Sequence, residues 1–217
     1  VDGTLIESWA SMKSFRPKDG PPGGDSNGWS DFRGEKRSNE THASVTDPEA
    51  RLARKGPGRE AKLAYSTHGL MENRNGLLID LVVSTADGFA ERREGAKLIA
   101  KLAGSRRKTV GADKGYDATD FVEACRQAGV TPHVAPNVHA GRLHSAIDRR
   151  TARHHSFRTS QVVRRKIEKI FGWLKSFAGL KRSRVKGLAR TQLAARLAAA
   201  AYNLLRMARL EPLRVAT

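Results

Sequence analysis

Cysteine is nearly absent. Cys125 stands alone among 217 residues, so no intramolecular disulfide and no cysteine-built zinc site can form. Long apolar runs are missing as well. No stretch of 18 apolar residues occurs, and the nearest approach, residues 193–205, is interrupted by Arg196 and Asn203, so no bilayer-spanning helix or membrane partner is expected. Residues 1–15 have neither the basic start nor the apolar segment of a secretory leader, and a reducing cytoplasm is the expected compartment. An initiating methionine is also lacking. The chain opens Val1-Asp2-Gly3-Thr4 in what reads as the middle of a strand, so a fragment missing its amino-terminal part is expected.

Acidic residues run out toward the carboxyl end. Residues 1–60 are neutral overall and residues 61–141 carry +2, whereas residues 142–217 carry nineteen basic and three acidic side chains, +16 of the total +18. Such a concentration repels itself unless it meets a polyanion, and nucleic acid is the leading partner class.

Apolar spacing and turn residues divide the chain into elements. Residues 1–6 read as the end of a strand. Residues 13–60, rich in Gly, Pro, Ser, Asn and Asp, are expected to form a long loop insertion. Two apolar runs, 62–71 and 77–83, flank Asn75-Gly76 and predict a hairpin whose second strand is buried on both faces. A helix over 89–103 stopped by Gly104, a strand over 109–112, a helix capped by Asp117 with Asp120, and a strand over 131–135 follow. Residues 136–159 look irregular. A continuous helix over 160–178 presents Ile167, Ile170, Phe171, Leu174 and Phe177. An Ala-rich helix over about 188–208 is expected to turn Leu193, Leu197, Leu204 and Leu205 inward. The order predicts an α/β fold, a mixed five-stranded sheet flanked by helices with a basic carboxyl-terminal helical region.

Three acids stand where chemistry could use them. Asp2 and Asp113 are placed at strand ends, where sites in open α/β sheets gather, and Glu168 sits in a helix otherwise rich in cations. Carboxylate oxygens suit Mg2+ or Mn2+, and divalent ions can activate an attacking oxygen and stabilise a leaving one at a phosphodiester. On a continuous helix Arg164, Glu168 and Lys175 fall on one side. The bland alternative is an Arg164–Glu168 surface ion pair at i,i+4.

Arg164-x3-Glu168-x6-Lys175 resembles the Y-x2-R-x3-E-x6-K signature of bacterial insertion-sequence transposases of the DDE class, with Gln161 where the signature has Tyr. The segments beginning at Asp2, Lys36, Met71, Gly111, Arg165 and Ala200 are also similar to that group, insertion-sequence family 5 in particular. The resemblance implies an RNase H-like core over 1–178, with residues 179–217 as a basic segment and helix packed on it. It implies metal-dependent cleavage and strand transfer on DNA, with transposon ends and target as partners and a homo-oligomer assembled on DNA in a nucleoid-associated setting. Asp2, Asp113 and Glu168 would be catalytic and would hold Mg2+ or Mn2+. Arg164, Arg165 and Lys175 would contact DNA, joined by Lys181, Arg182, Arg184 and Lys186 from the dense basic run. With its start missing, the chain is expected to be a partial and inactive copy. The competing readings are a non-catalytic DNA-binding remnant and a nuclease of the same fold.

Other residues have ordinary readings. His133, His139, His144, His154 and His155 are close in sequence but lack the ordered frame of a zinc site. His68 reads as a hydrogen-bonded strand residue, Cys125 as a core residue, and Trp173 as packing at the core's edge. Trp9 and Trp29 could stack on bases.

Overall fold

The computed structural model describes residues 1–19, 37–56, 58–102, 107–139, 142–143 and 145–210. Its main sheet is antiparallel and is built around β5 (Lys62–Met71). One edge of β5 takes β1 (Asp2–Glu7); the other takes β6 (Leu78–Thr85) and then, further along, β4 (Arg51–Ala53), since Glu7 and Arg51 both pair with Ala64 from opposite sides. Asn75-Gly76 turns the β5–β6 hairpin, with Gly76 at φ +75° where a side chain would be strained. The Glu72 carboxylate ties this turn together by accepting from the Arg74, Asn75 and Leu77 amides.

A second, parallel pair joins β7 (Lys108–Ala112) to β8 (Val130–Val134). The crossover between them contains α2 (Thr119–Gln127), while α1 (Ala90–Ala100) precedes β7. Hydrogen bonding therefore separates a four-stranded from a two-stranded sheet, joined where the Val1 nitrogen donates to the Gly111 carbonyl at 2.8 Å. At its far end β1 is flanked by the 181–183 segment: Glu7 N–H donates to the Lys181 carbonyl and Ser183 N–H to the Glu7 carbonyl.

Two apolar clusters follow from this arrangement. Ile6, Tyr65, Leu81, Ile170, Leu174 and Ala195 belong to one, and Val1, Leu98, Ile99, Phe121, Val122 and Cys125 to the other. Burial pushes the Cys125 thiol up to about 12, as suits a core residue.

Several expectations change. The 13–60 loop contains β2 (Phe15–Pro17) paired with β3 (His42–Ser44), as well as β4; residues 20–36 and 57, Trp29 among them, lie outside the described residues. Gly104 and His144 also lie outside them. Residues 136–159 include α3 (Arg149–Arg153) and the start of α4 (His155–Val163). The single helix over 160–178 is two, α4 and α5 (Lys166–Ser176), because the chain tightens to i→i−3 bonding at Arg164 and Arg165. Phe177 is exposed. Asp117 does not cap α2. Its carboxylate accepts from the Asn137 and Ala146 amides and from Ser145, latching that segment to the site side of β8.

The second hairpin strand is not buried on both faces, since Ile79 is exposed. The last helix, α6 (Leu188–Leu210), is rotated from expectation: Leu193, Leu197, Leu204 and Leu205 face out, while Thr191, Ala195 and Ala199 face in. The reason is the bare edge of β6. Gln192 and Asn203 each hydrogen-bond both a strand N–H and a strand carbonyl, at Val83 and Leu81 and at Leu78 respectively. Unpaired backbone groups are costly to bury, and close approach requires small residues on the docked side. The start of α6 is held by Glu49, which accepts from Leu188 N–H.

His68 is fully buried in β5, with Nε2 bonded to Ser84 Oγ, and burial pushes its imidazole down to about 4. An unfolded histidine takes its proton near pH 6.5, so stability is present above that pH and is lost as pH falls toward 4, amounting to about 2–3 kcal/mol between pH 7 and 4.5. Urea unfolding of wild type and His68→Gln at the two pH values checks this: the pH-dependent loss shrinks by that amount in the variant, and an unchanged loss refutes the assignment.

Candidate active site

Asp2 begins β1 and Asp113 follows the last residue of β7, so the Val1–Gly111 bond sets the two carboxylates beside one another. Local bonds hold each in place. Asp2 Oδ1 accepts from Gly3 N–H, and Asp113 Oδ1 accepts from Gly115 N–H at the turn Lys114–Tyr116.

α4 and α5 then cover this end of the sheet. A Cβ at Gly111 would lie 3.1 Å from the Ser160 carbonyl and 3.2 Å from Arg164 Cβ, and one at Gly69 would lie 3.2 Å from the Phe171 ring. Glycine at both positions lets the helices come this close. Arg164 is thereby seated over β7, and Glu168 occupies the first turn of α5.

Electrostatics tie the acids together. The Asp2 carboxyl is pushed up, first by burial and then by the charges of Asp113 and Glu168, against the opposing Gly3 hydrogen bond. Glu91, in the first turn of α1, was not among the expected residues. Its carboxylate oxygen would be 2.7 Å from a Cβ on Gly3, and its other oxygen 3.8 Å from one on Gly115. Desolvation, Asp113 and Asp2 all push Glu91 up. The Tyr116 phenol, buried with no hydrogen-bond partner among the described residues, is raised well above its ordinary range by burial and by Glu91, Asp2 and Asp113. Nothing local in the sequence marks Glu91; only the packing of α1 across Gly3 brings it in.

Among the described residues no group of three His, Cys, Asp or Glu side chains is close enough to hold a metal ion. The donor set still suits a hard divalent cation in kind, being carboxylate oxygens that repel one another across a partly desolvated space.

The expected cations divide into groups. Lys175 is half-buried and its Nζ donates to Thr4 Oγ1 at 2.6 Å, on the same strand as Asp2. Arg164 makes no ion pair with Glu168 among the described residues. Its Nε instead donates to Gln161 Oε1, and Gln161 Nε2 donates to the His133 carbonyl. The residue in the Tyr position of the signature therefore anchors the signature arginine to β8. Arg182 is exposed but engaged, donating to the Ser8 and Trp9 carbonyls with its guanidinium 5.8 Å from the Trp9 ring centre. Arg165, Lys181, Arg184 and Lys186 are exposed. Trp173 packs at the core's edge against Tyr202, and His133 bonds Ser160 Oγ.

The Transposase DDE domain family matches residues 36–204, which include Asp113, Glu168 and Lys175 but not Asp2. No curated protein matches the chain. The chain is thus a mixed α/β protein with Asp2 at the start of β1, Asp113 just after β7 and Lys175 bonded to Thr4 of β1. The chain belongs to the Transposase DDE domain family.

Gly111→Ala tests the α4–β7 contact. The added methyl would meet backbone and Cβ atoms that cannot swing aside, so a loss of about 1–3 kcal/mol is expected in chemical denaturation. A neutral result would show that α4 is not held against the strand.

Proposed function

We propose that this chain is the catalytic region of a DNA transposase of the insertion-sequence family 5 type. It would cleave and join phosphodiesters at element ends on an RNase H-like core. The observation that carries the reading is the family match over residues 36–204, which spans Asp113, Glu168 and Lys175, with Lys175 bonded to Thr4 two residues along the strand from Asp2. The Val1–Gly111 bond supports a five-stranded core of order β6-β5-β1-β7-β8. We assign this core to residues 1–178, with 179–217 packed upon it.

Asp2, Asp113 and Glu168 would hold Mg2+ or Mn2+. Such ions, when bound, neutralise phosphate charge and make water or a 3′-hydroxyl a competent nucleophile. The chain's own residues do the positioning. Lys175, Arg164, Arg165 and the 181–186 cations would hold the DNA backbone, and Gln161 would keep Arg164 aimed. Arg182 contributes less than its neighbours in this scheme because its donors are engaged at Ser8 and Trp9. DNA is the substrate, and assembly of more than one copy on it belongs to the same proposal. No helix among the described residues is long and apolar enough to cross a membrane.

A second reading, a DNA-binding remnant that does not use metal, is favoured by the lack of a ready ion cage among the described residues. Metal separates the two. Saturating Mn2+ raises Tm by about 5–10 °C if the acids close on the ion, and Asp113→Asn removes the rise. An unshifted Tm in a chain that still binds duplex DNA with a steep salt dependence overturns the catalytic reading and leaves the remnant.

A further inference from the structure

Beyond the acids, the chain carries a cleft of about 750 Å3 beside the far end of β1. It is lined by Leu5 and Glu7 of β1, by Lys55 and Arg59 of the β4–β5 connection, and by Lys175 and Lys181. Its charges do not cancel. Glu7 and Glu60 both face Lys62, at 3.1 and 3.8 Å. Among the described residues no carboxylate pairs with Lys55, Arg59, Lys175 or Lys181. Lys175 is half-buried and hydrogen-bonded to a hydroxyl, and burial and the nearby Lys55 push its ammonium down against the opposing charge of Glu7. Five cations line the cleft against the two carboxylates Glu7 and Glu60, and this excess, partly desolvated at Lys175, favours a bound anion.

The position of the cleft points to the source of that anion. Asp2 and Thr4 share a face of β1, because strand side chains alternate. Leu5 and Glu7, which line the cleft, point to the opposite face, and Lys175, bonded to Thr4 and also lining the cleft, links the two sides of the strand. From Asp2 to Glu7 the strand covers about 17 Å at ~3.3 Å per residue. One DNA strand, rising ~3.4 Å per nucleotide, covers that length in about five nucleotides.

We propose that this cleft is a DNA backbone subsite, in which Lys55 and Arg59 join Lys175 and Lys181 on phosphates about five nucleotides from the bond held at Asp2. It rests on the proposed function and extends it to two residues that the signature does not contain. The β4–β5 connection becomes a clamp on the strand being processed, and the cations facing it across the cleft come from α5 and the segment beyond it.

Fluorescence anisotropy with a 30-base-pair duplex, titrated across salt concentrations, tests this. In Lys55→Gln/Arg59→Gln the affinity near 0.1 M salt falls at least tenfold. The slope of log K against log salt becomes shallower by about 1.8, as expected for two lost phosphate contacts. Arg74→Gln, at the hairpin turn beyond the other end of β5, changes affinity less than twofold. Undiminished binding by the double variant, while Lys175→Gln binds weakly, overturns the subsite and leaves the proposed function standing. Equal weakening by Arg74→Gln also overturns it, because net charge would then account for the effect. Absence of duplex binding by wild type overturns the proposed function itself.

Discussion

Everything at the candidate site depends on how β1 is held. Its residues pair with β5 along one side, while the other side is shared, the Val1 nitrogen bonding Gly111 at one end and Glu7 bonding the 181–183 segment at the other. A strand gripped at both edges cannot slip by one residue without turning every side chain to the opposite face. Asp2 and Thr4 are thereby fixed toward the site, and the acids and cations inherit their positions from that register.

The cost of this arrangement is electrostatic. Burial first, and then neighbouring acids, push Asp2 and Glu91 up: Asp113 and Glu168 act on Asp2, and Asp113 and Asp2 on Glu91. On the other side of Thr4, Lys175 and Lys55 repel each other. The Val1 ammonium opposes this at Asp2, and Glu7 opposes it at Lys175. A fold optimised for stability alone would interleave the two signs; here they are kept apart along one strand, as expected where both a cation and a polyanion are to be received.

Glycine and amides do the fine placement. Gly69 and Gly111 admit α5 and α4 against the strands, and Gly3 makes room for Glu91. Gln192 and Asn203 satisfy the open edge of β6, so α6 is oriented by hydrogen bonds and not by its leucines. Gln161 likewise diverts Arg164 from the i,i+4 partner that sequence spacing had offered it.

Local patterns in the sequence settled the β5–β6 hairpin, the helices α1 and α2, the buried Cys125 and the concentration of positive charge, because turn glycines, apolar periodicity and composition act over a few residues. They also marked Asp113, Glu168 and Lys175, which lie within the span of the family match. Tertiary structure alone decided the break at Arg164–Arg165, the outward leucines of α6, the arrival of Glu91 at Asp2, and the meeting of Lys55 with Lys175. Each of these depends on which backbone groups remained to be satisfied and on how closely distant elements could pack, and neither quantity is written in the spacing of residues along one segment.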